Sequence, residues 1–108
     1  KRFVEIHVLA ERIERQTIEP FDLVCVNLYP FERTVGRLDV AWEEAIEQID
    51  VGGPALLRAA AKNHAHVVPI CRPEDYGPVV EEFRQRAEIS PETRRALAAR
   101  AFQRTAAY

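Results

Sequence analysis

Phe21-Asp22-Leu23-Val24-Cys25-Val26-Asn27-Leu28 is a nearly continuous apolar run, the pattern of a β-strand covered on both faces. A strand of that kind belongs at the centre of a sheet. Tyr29-Pro30-Phe31 ends it, because Pro30 has no N–H to give a ladder and holds Tyr29 extended. A second apolar run, Val67-Val68-Pro69-Ile70-Cys71, reads as another strand, with Pro69 marking an edge or a strand end. Around these runs the apolar period lengthens to that of helices. Strands separated by helices argue for an α/β fold, a mostly parallel sheet with flanking helices. In such sheets ligands collect beyond the carboxyl ends of the strands, where Asn27 and Tyr29 emerge.

The helices have local signals of their own. After a polar loop from Arg33 to Leu38, Asp39 is placed to cap a helix whose Trp42, Ala45, Ile46 and Ile49 share one face. Asp75 is placed to cap a helix running to about Glu88, with Pro78 in its first turn. Ser90 and Pro91 start a last helix, with Leu97, Ala98, Ala101, Phe102 and Tyr108 as its apolar face. Ahead of all this, Leu9 and Ile13 among Glu11, Arg12, Glu14 and Arg15 predict a short amphipathic helix.

A chain of 108 residues is enough for one core, so residues 1–108 are expected to form a single unit. Its 15 basic and 17 acidic side chains give a net charge of −2, no global pull toward nucleic acid or an anionic membrane. No apolar run approaches the roughly 20 residues that span a bilayer, and the start lacks the pattern of a signal peptide, so a cytoplasmic setting is expected. The chain starts at Lys1 and stops at Tyr108 inside a helical pattern, which reads as a piece of something longer. Cys25 and Cys71, each within an apolar run, are expected to be buried free thiols. His64 and His66 lack a third ligand at a usual spacing, so no metal site is expected. Six arginines against two glutamates give residues 84–104 a charge of +4, either a solvated face or a docking surface for an acidic domain.

The run with the most chemistry is Glu47-Gln48-Ile49-Asp50-Val51-Gly52-Gly53-Pro54, continuing as Leu57-Arg58-Ala59-Ala60-Ala61-Lys62-Asn63-His64. A carboxylate, two glycines and a proline open an Ala-rich helix. The N–H groups of its first turn would face whatever sits over the glycines. Lys62 follows Arg58 by four residues, and like charges at that spacing repel, which with partial burial would favour the neutral amine. A solvated cationic stripe near the helix C-terminus is the alternative. Lys62 and Asp50 are not brought together locally, since nine residues of helix after Gly53 span roughly 13 Å. A bound molecule or another segment would have to bridge them.

Together the segments Val26-Asn27-Leu28-Tyr29-Pro30-Phe31, Glu47 to Pro54, Leu57 to His64, and Glu92-Thr93-Arg94-Arg95 with Ala101-Phe102 resemble the IMP cyclohydrolase domain of the bifunctional purine-biosynthesis enzymes, which join it to an AICAR transformylase domain. The likeness covers about residues 17–108, the C-terminal half of that domain. It implies a methylglyoxal-synthase-like fold, a homodimer, and closure of 5-formamidoimidazole-4-carboxamide ribotide to IMP with loss of water. It implies no metal and no organic cofactor, folate serving only the transformylase domain. Its partner is a purine ribonucleotide, with neither nucleic acid nor membrane. By position Tyr29, Asp50 and Lys62 resemble the family's catalytic tyrosine, aspartate and lysine, and Asn27 with the backbone of Val51, Gly52 and Gly53 would hold the base.

Residues 1–16 do not resemble what precedes the Asn27 strand in the family, and a Lys-Thr-Leu-His-Pro motif and phosphate-binding loops have no counterpart here. The chain alone is therefore expected to have little or no cyclohydrolase activity. Two rivals stand beside the enzyme: a non-catalytic small-molecule-binding or regulatory module of the same fold, and a purely structural piece of an assembly.

Overall fold

The structure is a computed structural model and describes residues 15–108. The helix expected around Leu9 and Ile13 lies outside the described residues. In chain order come β1 (Leu23–Cys25), α1 (Phe31–Val35), α2 (Trp42–Glu47), α3 (Gly52–Lys62), β2 (Val68–Ile70), a 3₁₀ turn (Pro73–Asp75), α4 (Tyr76–Arg86) and α5 (Pro91–Ala107). This is the α/β arrangement expected, with a small parallel sheet and flanking helices. β1 and β2 pair in parallel, Leu23 opposite Val68 and Cys25 opposite Ile70. The Val68 N–H donates to the Asp22 carbonyl and the Val26 N–H to the Ile70 carbonyl, both at 2.9 Å. Residues 68 and 70 are thus the ones bonded to β1. Pro69 between them needs no donor, which is how a proline fits inside this strand.

The core gathers on β2, all three of whose residues are buried. Leu28, Leu57, Ala61, Cys71, Ala98 and Ala101 form one apolar cluster, and Val68, Ile70, Val79, Ile89 and Leu97 form a second. α5 contributes to both, so it closes the two layers around β2. Ala61, Ala98 and Ala101 have no bulk beyond Cβ, which lets α3 and α5 pack closely.

β1 departs from its sequence reading. It is three residues long, and its outer side is open: Phe21 is 74% exposed and Leu23 45%. Apolar composition asks for cover on both faces, but among the described residues the main contacts of β1 are with its partner strand β2 and with α3. Cys25 is accordingly exposed, whereas Cys71 is buried as expected, both thiols being free. The expected face of α2 is also uncovered, with Trp42 75% exposed and Ile46 and Ile49 near half.

Two of the three expected caps are not made. Asp39 pairs with Arg37 at 3.3 Å, and Ala41 precedes α2 with no side-chain cap. Asp75 is 4% exposed and held by Arg72 (2.8 and 3.2 Å) and Arg100 (2.7 Å). A guanidinium satisfies a carboxylate more strongly than a neutral backbone N–H does, so the arginines take both acids from the helix ends. The loop after Pro30 is partly helical, because the Pro30 carbonyl accepts from the N–H groups of Arg33 and Thr34 and so starts α1.

Ser90 does cap α5, its hydroxyl accepting from the Thr93 N–H at 3.2 Å. Glu82 braces that cap, accepting from the Ser90 N–H (3.0 Å) and the Thr93 hydroxyl (2.7 Å). These bonds, the Thr93 hydroxyl first, hold the Glu82 carboxyl below its ordinary value of 4.5. A depressed carboxylate stabilises the fold above the ordinary value and loses that contribution as the pH falls through the folded one. Glu82→Gln should therefore flatten the acid side of a plot of melting temperature against pH while leaving its shape above about pH 6 unchanged.

Candidate functional site

β1 delivers Asn27 and Tyr29 past its carboxyl end, and the loop after α2 delivers Asp50 to the start of α3. The Asp50 carboxylate accepts from the Gly53 N–H at 2.7 Å and, with its other oxygen, from the Tyr29 main-chain N–H at 3.3 Å. Capping three residues ahead in this way satisfies one of the orphan donors of α3 and sets a negative charge at the positive end of the helix. A Cβ on Gly53 would lie 2.6 Å from both carboxylate oxygens, so only glycine lets the carboxylate sit there. Gly52 has open space around it and Val51 is 76% exposed, which leaves this turn accessible. The Gly53 N–H expected to face a ligand is therefore occupied by Asp50.

The Asp50 backbone is fixed from the far end of the chain. Its N–H donates to the Tyr108 hydroxyl at 2.7 Å, and that hydroxyl donates to the Gln48 carbonyl at 3.0 Å. Sequence reading missed this role, since Tyr108 reads only as one more apolar position on a helix.

The structure thus brings Asp50 to the main chain of Tyr29, whose side chain stays half exposed. Lys62 is the last residue of α3 and exposed, about 13 Å along the helix from Gly53. The Arg58 guanidinium lies 5.6 Å over the Phe102 ring. Asn27 faces elsewhere: its Oδ1 accepts from the Tyr76 hydroxyl at 2.9 Å, and it lines a cleft of about 420 Å³ at the strand ends with Arg33, Arg72 and Arg104. Contact with the Cys25 thiol, then burial, hold the Tyr76 phenol above its ordinary value. Cys71, also on that cleft, has its thiol pushed up by burial and by the charge of Asp75.

The basic run is largely used inside the chain. Arg100 meets Asp75, Arg104 approaches Glu32 at 3.7 Å, Arg95 approaches Glu92 at 3.4 Å, and the Arg94 Nε donates to the Ile89 carbonyl. Among the described residues no three His, Cys, Asp or Glu side chains are placed to share a metal ion, and no helix is long and apolar enough to cross a membrane.

Comparison with known proteins bears on what this geometry is for. The family described as AICARFT/IMPCHase bienzyme matches residues 60–108. The bifunctional purine biosynthesis protein PurH of Anoxybacillus flavithermus is 53% identical over 98 residues, 91% of this chain. That of Bacillus subtilis is 50% identical over 97 residues, 90% of the chain. Over about nine-tenths of its length the chain is similar to one part of the AICARFT/IMPCHase bienzymes. With PurH of Streptococcus pneumoniae the match runs over all 108 residues at 47% identity. The chain spans 19% of the length of the first two relatives and 21% of the third. Among solved structures, one titled "Crystal structure of ForH" superposes with a TM-score of 0.71 at 36% identity, covering 92% of this chain and 52% of its own.

Proposed function

We propose that this chain supplies part of an IMP cyclohydrolase site within a longer bifunctional purine-biosynthesis enzyme, where 5-formamidoimidazole-4-carboxamide ribotide closes to IMP. The observation that carries this reading is the anchored Asp50 carboxylate beside Tyr29 at a strand's carboxyl end, in a chain about half identical to PurH proteins. Ring closure joins the carboxamide nitrogen to the formyl carbon. The nitrogen gives up a proton and the formyl oxygen gains one; the C–O bond then breaks, and water leaves as the former formamide nitrogen releases its proton.

Asp50 is suited to the first transfer. Two protein N–H groups occupy part of its acceptor capacity, and the remaining lone pairs can orient and then take the amide proton. Lys62 would stabilise negative charge growing on the formyl oxygen, and the Tyr29 phenol would hydrogen-bond the reacting groups. Val51, Gly52 and Gly53 would offer backbone to the base, and Asn27 its amide. The bound ribotide, or a neighbouring segment of the longer protein, would bridge Lys62 to Asp50. No metal or organic cofactor enters, folate belonging to the transformylase part, and the enzyme would work as a homodimer in the cytoplasm.

The distance of Lys62 from Asp50 favours a second reading, a non-catalytic binding or regulatory module. Titrating IMP into the ¹⁵N-labelled chain tests whether the site binds at all. The proposal expects amide shifts at Asn27, Tyr29, Val51, Gly52, Gly53 and Lys62, even at weak affinity. Shifts confined to other residues, or none at millimolar IMP, would count against it.

A further inference from the structure

We propose that Tyr108 is the positioning residue of the Asp50 carboxylate, a role that rests on Asp50 serving the site proposed above. Its hydroxyl acts as acceptor and donor at one place: it accepts from the Asp50 N–H at 2.7 Å and donates to the Gln48 carbonyl at 3.0 Å. Residues 48 to 50 are thereby clipped to the end of α5, although they lie some sixty residues away in sequence. The clip matters because the carboxylate has little freedom to give. Its contact with Gly53 leaves no room for even a methyl group, and its second oxygen is only 3.3 Å from the Tyr29 N–H.

The same side chain holds the other half of the site. The Tyr108 ring packs on Phe31 with centroids 6.2 Å apart, and Phe31 is tied to Tyr29 by an N–H to carbonyl bond of 2.8 Å. The Arg104 guanidinium lies 5.9 Å over the same ring and helps to hold it. One residue therefore sets the loop that carries Asp50 with its hydroxyl, and the segment after Tyr29 with its ring. Without the hydroxyl the Asp50 N–H and Gln48 carbonyl turn to water, and the carboxylate drifts from Gly53.

The test needs no ligand and so stands apart from the cyclohydrolase reading. In the labelled chain the Gly53 amide should be protected from hydrogen exchange by the Asp50 carboxylate, and Asp50→Ala should remove that protection. Tyr108→Phe keeps the ring on Phe31 and removes only the hydroxyl. It should lower the protection of the Gly53 amide about fivefold, as loss of one ordinary hydrogen bond implies, while exchange at Leu57 and Leu97 is unchanged. Gly53 exchange as slow as in the unsubstituted chain would overturn the proposal. Should the variant not fold, hydrogen exchange in the unsubstituted chain decides: the Asp50 amide must be protected, and exchange at the rate of a free loop amide refutes the clip. Ring closure by the longer protein that Tyr108→Phe leaves unchanged, with both results above intact, would count against the function and not against the clip.

Discussion

Gly53→Ala should leave the fold standing and disable the site. In a helix alanine is favoured over glycine by about 1 kcal/mol, and losing the carboxylate cap costs about 1–2 kcal/mol, so the two nearly offset in stability. The site has no such compensation. The new Cβ would meet both Asp50 oxygens at 2.6 Å, so the carboxylate must leave the Gly53 N–H and with it the Tyr29 main chain. Misplacing a proton acceptor by about an ångström costs on the order of 100-fold in rate. In the longer bifunctional protein the substitution should lower ring closure by about that factor with a melting temperature close to the parent's. Ring closure within a factor of about two would mean that this anchoring is irrelevant to the chemistry.

Leu57→Ala is the largest stability change expected. Leu57 is fully buried among Leu28, Ala61, Cys71, Ala98 and Ala101, where removing three carbons leaves a cavity that small neighbours cannot fill. Such changes cost about 2–5 kcal/mol, a large share of the 5–15 kcal/mol typical of a whole domain. The share is larger still in a chain that leaves Phe21, Trp42, Ile46 and Ile49 in water. Urea unfolding followed by circular dichroism should show a steep fall in midpoint. Leu56→Ala, at the neighbouring position that is 48% exposed, should move it by less than about 0.5 kcal/mol.

What was legible in the sequence depended on whether its cause was local. The parallel α/β arrangement, α3 behind its glycines and α5 behind Ser90 and Pro91 all follow from periodicity and from residues within one turn. Asp50 capping Gly53 is equally local, an acid three residues before a helical glycine having the spacing of a side-chain cap, yet the sequence reading left that N–H to a ligand. The cover of β1 and α2 is not local. Phe21 to Leu28 and Trp42, Ile46 and Ile49 announce apolar faces, but whether another element lies on them is decided elsewhere in the structure. Asp39 and Asp75 show propensity losing to a stronger partner, and Arg100 lies 25 residues beyond the acid it takes. The Tyr108 clip spans 58 residues and no pattern along the chain hints at it.

The most direct test is ring closure by Bacillus subtilis PurH in which the matching segment is replaced by this chain, comparing Asp50 with Asp50→Asn. The account predicts that the chimera converts the formylated ribotide to IMP, and that the amide, unable to accept the attacking nitrogen's proton, lowers the rate by two or more orders of magnitude. A chimera that closes the ring equally well with asparagine at position 50 would contradict it.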